Sequence, residues 1–162
     1  GEQTLVGDVL AEGIATASSP GRLQVIGIEP TVIIDAAHNP DGARSLAAAL
    51  GTYFTFDEVA IVLGVLDDKD ARSIVAALAP VAEVILVTAS SSERAVPVDD
   101  LAEIVREVAP DTSVDDYDTP GEAIAAARAW AEKAPRRGVV ITGSITLIGD
   151  ALVLAAAEGW KR

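Results

Sequence analysis

Asp35, His38 and Asn39 sit within five residues of one another, at the end of a run of apolar β-formers, Thr31-Val32-Ile33-Ile34. A carboxylate, the only imidazole in the chain and an amide on one short loop can accept, donate and hold protons. Three more side chains have comparable chemistry. Arg22 follows a Pro-Gly turn, Lys69 stands inside Asp67-Asp68-Lys69-Asp70, and Ser144 follows Gly143 after the last apolar run. Each also has a plain structural use. Asp35 can cap the turn after it, His38 can pack an Asn-Pro loop, and Ser144 can cap a helix. The acidic cluster around Lys69 can be a solvated helix start, and Arg22 a surface residue on an edge strand.

Several chemistries are poorly served. Ser144, His38 and Asp35 could be drawn as a triad, but Ser144 has no GxSxG elbow and Asp35 and His38 share one loop. One imidazole and scattered acids lack metal-ligand spacing, so no metal site is expected. The chain has no GxxxxGK[ST] phosphate loop and no GxGxxG after its first strand.

The elements that must position these residues follow from periodicity. Short β-rich runs at about 22–27 and 31–34 flank Gly27-Ile28-Glu29-Pro30 and read as an antiparallel hairpin. From there strands and helices alternate. Strands are expected at 58–63, 83–87, 112–115 and 138–142, and helices at 40–50, 70–79, 98–108, 120–133 and 145–157. The run Val32-Ile33-Ile34 has no polar face, which suits a strand buried on both sides. Six strands, the first antiparallel, separated by helices, predict a mostly parallel α/β sheet. Such a sheet brings the loops after 35, 63, 87 and 142 to one edge, where ligands gather. Residues 1–19 read as a lead-in, with a short helix expected at 6–17.

Composition agrees with one globular domain. Half of the 162 residues are hydrophobic, and there is no cysteine to form a disulfide or a thiolate site. The net charge of −13, with no basic cluster, argues against nucleic acid as a partner. No apolar run approaches the roughly 18–20 residues of a membrane helix, and no signal segment opens the chain.

Five segments together resemble a known family. Pro20-Gly21-Arg22-Leu23 and Asp35-Ala36-Ala37-His38-Asn39-Pro40 are similar to the start of the C-terminal domain of folylpolyglutamate and dihydrofolate synthases, within the Mur ligase superfamily. Gly64 to Asp70 resembles that family's G-x-x-x-D-K-D loop, Ser92 to Pro97 its S-x-R-A-x-P segment, and Thr142 to Ile145 its T-G-S-L segment.

The resemblance implies a Rossmann-like, three-layer domain with a six-stranded, mostly parallel sheet and one antiparallel strand. It implies part of an ATP-dependent ligase that activates a carboxylate as an acyl phosphate for attack by L-glutamate. The acid would be dihydropteroate or a folate glutamyl tail. The phosphate loop and the Mg2+ ligands would lie in an N-terminal ATPase domain, with residues 1–19 as the interdomain linker and 20–162 as the C-terminal domain, inactive alone. Carried over by position, Arg22 would reach the ATP phosphates. Asp35 would lie near the ribose, with Asn39 also on the nucleotide. His38 would stand between nucleotide and glutamate, and Ser144 and Lys69 would hold glutamate. A cytoplasmic, monomeric enzyme is implied. Ile145-Thr146 departs from the family's Leu-Tyr, so no aromatic contact is carried over there.

Two alternatives remain open at this point. One is the C-terminal domain of a muramyl peptide ligase, against which DAAHNP with DKD favours folate. The other is a non-catalytic doubly wound module such as a phospho-acceptor receiver. A receiver wants an acidic pair after the first strand and a lysine after the fifth, and neither is present.

Overall fold

The computed structural model describes residues 22–161. The expected helix at 6–17, the lead-in and the Pro20-Gly21 turn lie outside the described residues. Six strands form one sheet: β1 (Gln24–Ile28), β2 (Thr31–Asp35), β3 (Glu58–Leu63), β4 (Val84–Val87), β5 (Ser113–Asp116) and β6 (Arg137–Thr142). The helices are α1 (Pro40–Tyr53), α2 (Ala71–Leu78), α3 (Val98–Val108), α4 (Pro120–Glu132) and α5 (Ile145–Glu158). The strand order is β1-β2-β6-β3-β4-β5, with β1 antiparallel to β2 and the other pairs parallel.

The expected elements are all present among the described residues, with shifted ends. β1 begins at Gln24 rather than near 22, because Leu23 adopts a left-handed backbone (φ 49°) that cannot continue a strand. A bulge between Val25 and Gly27 then resets the register against β2. α1 runs on through Gly51 to Tyr53, since nothing after Leu50 stops it before Phe54 turns extended. α2 ends at Leu78, and Pro80 lies inside a following 3-10 turn, Ala79–Val81.

Alternation along the central strands divides the core into two layers. Ile33, Ile61, Leu63, Ile85, Val87 and Val140 face α1, α2 and α3. Val32, Ile34, Val62, Leu86, Val139 and Ile141 face α4 and α5. A helix–sheet–helix sandwich results. The Arg137 guanidinium lies 4.3 Å from the Trp130 ring centroid and bonds Glu58 at 2.8 Å, fixing the end of α4 to the start of β3.

The registers put Asp35, Thr142, Leu63 and Val87 side by side across β2, β6, β3 and β4. Every loop carrying chemistry leaves the sheet from this row. The chain after β2 turns toward the α1 face, whereas the chain after the neighbouring β6 turns toward the α5 face. Adjacent strands whose continuations part in this way open a crevice at their carboxyl ends, the usual ligand position in such sheets.

Candidate functional site

The crevice is built around Asp35. Its side chain is buried, 5% exposed as a residue, and both oxygens accept backbone N–H groups: Oδ1 from Leu23 at 2.9 Å and Oδ2 from Ala37 at 3.0 Å. Arg22 Nε lies 3.8 Å from Oδ1, too long for a hydrogen bond but close enough for an ion pair, and the Arg22 side chain is 57% exposed. Burial pushes the Asp35 carboxyl above its ordinary value, opposed by the two backbone bonds and by the Arg22 charge. Asp35 therefore does more than cap a turn. It ties the end of β2 to the residue beside Arg22, with both of its oxygens accepting backbone N–H groups.

His38 is half-buried, and its Nδ1 lies 3.0 Å from the carbonyl oxygen of Ala36. A carbonyl can only accept, so Nδ1 carries the proton, and in the neutral ring Nε2 is left as the acceptor. Asn39 is exposed and caps α1, with Oδ1 accepting from Gly42 N at 2.7 Å. Its amide nitrogen is the end that would meet a ligand.

Ser144 caps α5 in the same way, with Oγ accepting from Leu147 N at 3.1 Å. It is 2% exposed, and its hydroxyl proton is the donor left for a ligand. Gly143 before it is obligatory. Its φ is +115°, and a Cβ there would stand 2.3 Å from the carbonyl oxygen of Gly64. That close approach brings the loops after β6 and β3 together.

Lys69 lies in the loop after β3, its side chain 31% exposed and its Nζ 3.9 Å from Asp68 Oδ2. Asp70, the last acid of that run, caps α2 through Ser73 N, and its bonds to Ser73 hold its pKa below the ordinary value. Among the described residues, no group of three or more His, Cys, Asp or Glu side chains converges to hold a metal ion. No helix there is long and apolar enough to cross a membrane. A shallow cleft of about 300 Å³ between β4, β5 and α4 is lined by Glu83, Tyr117 and Trp130 among others, and shares no residue with this site.

Sequence reasoning missed Thr142. Its buried Oγ1 donates to the Asp35 carbonyl at 2.7 Å, while Gly143 N donates to the Ala37 carbonyl at 3.1 Å. Together they lace the loop of His38 to the loop of Ser144. The T-G-S segment was visible, but a threonine closing a strand gives no sign of its partner more than a hundred residues away.

Known proteins resemble this chain in sequence and in fold. The family model described as "Mur ligase, glutamate ligase domain" matches residues 21–145. The dihydrofolate synthase/folylpolyglutamate synthase of Mycobacterium tuberculosis is 39% identical over 164 residues, covering 94% of this chain and 34% of that protein. A probable bifunctional folylpolyglutamate synthase/dihydropteroate synthase of Haloferax volcanii is 36% identical, with 89% of this chain and 17% of that protein covered. Among solved structures, Mycobacterium tuberculosis folylpolyglutamate synthase complexed with ADP and AMPPCP superposes with a TM-score of 0.80 at 43% identity, over 85% of this chain and 32% of that one. Escherichia coli FolC in complex with DHPP and ADP gives 0.77 at 27% identity, over 91% and 34%. The chain thus spans about a third of the length of these relatives, or less. With most of its length matched by the family model and its sheet shared with these structures, the chain belongs to the Mur ligase family as a glutamate ligase domain.

Proposed function

We propose that this chain is the glutamate-accepting, nucleotide-closing domain of an ATP-dependent ligase. The ligase joins L-glutamate to dihydropteroate or to the γ-glutamyl tail of a folate, in the cytoplasm and as a monomer. The observation that carries this reading is the row Asp35–Thr142–Leu63–Val87, from which the loops of His38, Ser144 and Lys69 all leave on one edge. The names of the relatives supply the substrate class.

In this reaction the substrate carboxylate attacks the γ-phosphorus of ATP and ADP departs. The glutamate amine then attacks the acyl phosphate carbon, and phosphate leaves as the amide forms. Arg22, exposed and aimed from a buried anchor, stabilises negative charge on the transferring phosphoryl group. His38 offers Nε2 where nucleotide and glutamate meet, with Asn39 beside it. Lys69 and Ser144 hold glutamate carboxylates. Asp35 lies beside the ribose and also orients Arg22 through Leu23. Mg2+, held by residues of the ATPase domain and by the nucleotide phosphates, would neutralise phosphate charge during the transfer. The phosphate loop and the metal ligands belong to an ATPase domain ahead of residues 20–162, joined through 1–19.

The test is incorporation of labelled L-glutamate by the chain alone and by the chain joined to a phosphate-loop domain. Turnover with dihydropteroate or folate only in the joined form is expected. Turnover by the chain alone would overturn the half-site reading. Turnover with UDP-linked muramyl precursors instead of pterins would move the chain to the peptidoglycan branch.

A further inference from the structure

The loop after β4 contacts both halves of the glutamate site, and nothing assigned so far uses it. On one side Ser91 grips α5: its N–H and Oγ donate to the two carboxylate oxygens of Asp150 at 2.9 and 2.8 Å. α5 is the helix that Ser144 caps. On the other side Arg94 grips the loop of Lys69. Its Nη2 lies 2.6 Å from Asp68 Oδ2, its Nε 3.8 Å from Asp67 Oδ1, and its carbonyl accepts Asp67 N at 2.8 Å. A bridge between Leu66 and Ala95, and the bond from Val96 N to the Val65 carbonyl at 2.8 Å, extend the seam.

The loop is not slack between these grips. Arg94 N donates to Ser92 Oγ at 3.1 Å, and Ala95 N to the Ser92 carbonyl at 3.2 Å. The span from Ser91 to Arg94 is a bonded turn, anchored to Asp150 at one end and to Asp67 and Asp68 at the other.

Charge gives Arg94 a second effect. Lys69 is flanked by Asp68 and Asp70, and its ammonium is 3.9 Å from Asp68. Arg94 sits much nearer to the same carboxylate and takes it as a bidentate-capable partner that a lysine cannot match. With Asp68 engaged by Arg94, the Lys69 charge is left for an anion. Desolvation is the largest single influence on the Asp68 carboxyl and pushes its pKa up, but the Arg94 hydrogen bond, the Arg94 charge and the Lys69 charge together outweigh it and hold the pKa below the ordinary value.

We infer that Ser91 to Arg94 is a positioning strap: Arg94 frees and aims Lys69, while the Ser91–Asp150 clasp fixes the Ser144 helix at a set distance from it. This rests on the reading of Lys69 and Ser144 as glutamate ligands. Arg94 and Asp150 are positioning residues that act through those two.

The test uses the ligase with its phosphate-loop domain in place, and the variants Arg94→Gln and Asp150→Asn. Each is expected to raise the KM for L-glutamate about tenfold, since small misplacements of orienting groups are costly, with the KM for ATP and the melting temperature near native. Arg94→Lys restores charge without the fork, and its KM falls between native and Gln. In hydrogen exchange, Asp150→Asn, which removes an acceptor bonded to Ser91, speeds exchange of the Asp67 amide at the far end of the strap. An unchanged glutamate KM in both variants, while Lys69→Ala raises it, overturns the strap and leaves the glutamate reading standing. If Lys69→Ala and Ser144→Ala also leave it unchanged, the glutamate reading itself fails. A fall in melting temperature with both KM values moving together reduces the strap to a structural element.

Discussion

Asp35 Oδ1 accepts the N–H of Leu23 at 2.9 Å, joining the last residue of β2 to the residue that precedes β1. Leu23 holds a left-handed backbone with its side chain buried in the core, so its conformation is over-determined from two sides. Arg22, one residue earlier, is exposed yet leaves from a fixed point. A flexible cation is thereby aimed by a rigid, buried acid.

Replacing Asp35 by Asn turns one acceptor into a donor that faces a backbone N–H. A buried N–H without a partner costs about 1–3 kcal/mol, and that loss is expected in denaturant unfolding of Asp35→Asn.

The same variant reads the protonation of Asp35. Burial raises its folded pKa above the ordinary 3.8. Between the unfolded and folded pKa values the native state binds more protons. The stability contributed by Asp35 is thus complete below the unfolded pKa and is lost as pH rises through the folded one. Asn does not titrate, so the stability gap between native chain and variant narrows as pH rises above 3.8. A gap that widened over the same range would mark the carboxylate as the favoured folded form.

Gly143 and Gly51 are expected to respond oppositely to alanine. At Gly143 a methyl meets the Gly64 carbonyl in a left-handed backbone, and Gly143→Ala loses about 3 kcal/mol or more. Gly51 lies in α1 with nothing near its missing Cβ, and Gly51→Ala gains about 0.5–1 kcal/mol. Thermal unfolding of the two variants beside the native chain checks both signs.

The layer order of the fold was legible because local signals agreed. Val32-Ile33-Ile34 has the composition of a strand buried on both faces, and so it is. Asn39-Pro40 and Ser144 mark helix starts in the conventional way. Asp35, His38, Asn39, Lys69 and Ser144 could be placed at one sheet edge because parallel strands leave no other position for their loops. What could not be read was long-range bonding. No local pattern says that Thr142 reaches Asp35, that Asp150 is held by Ser91, or that Leu23 takes a backbone conformation a leucine seldom adopts. Those choices depend on which strands become neighbours, and that depends on the whole chain.

The tautomer of His38 can be measured on the chain itself. With Nδ1 bonded to the Ala36 carbonyl, long-range nitrogen–proton correlations in the neutral ring should find the proton on Nδ1. In the joined ligase His38→Ala is expected to raise the KM for L-glutamate. An Nε2-protonated ring would leave that nitrogen unable to accept and would remove the role given to it.

Arg22 separates placement from stability most cleanly. Its guanidinium is more than half exposed and its ion pair with Asp35 is long, so Arg22→Ala should change unfolding free energy by only about 0–1 kcal/mol. If the guanidinium meets charge that develops on a phosphoryl group, its loss acts on the transition state. Removing one such preorganised donor lowers turnover by about 10²–10³-fold, and that is the fall expected for Arg22→Ala in the joined ligase. The KM for ATP should move far less than kcat, because the interaction grows as charge transfers and is weak before it. A melting temperature lowered by several degrees with turnover intact would make Arg22 a brace for the β1–β2 pair, and Asp35 would then be a structural acid alone.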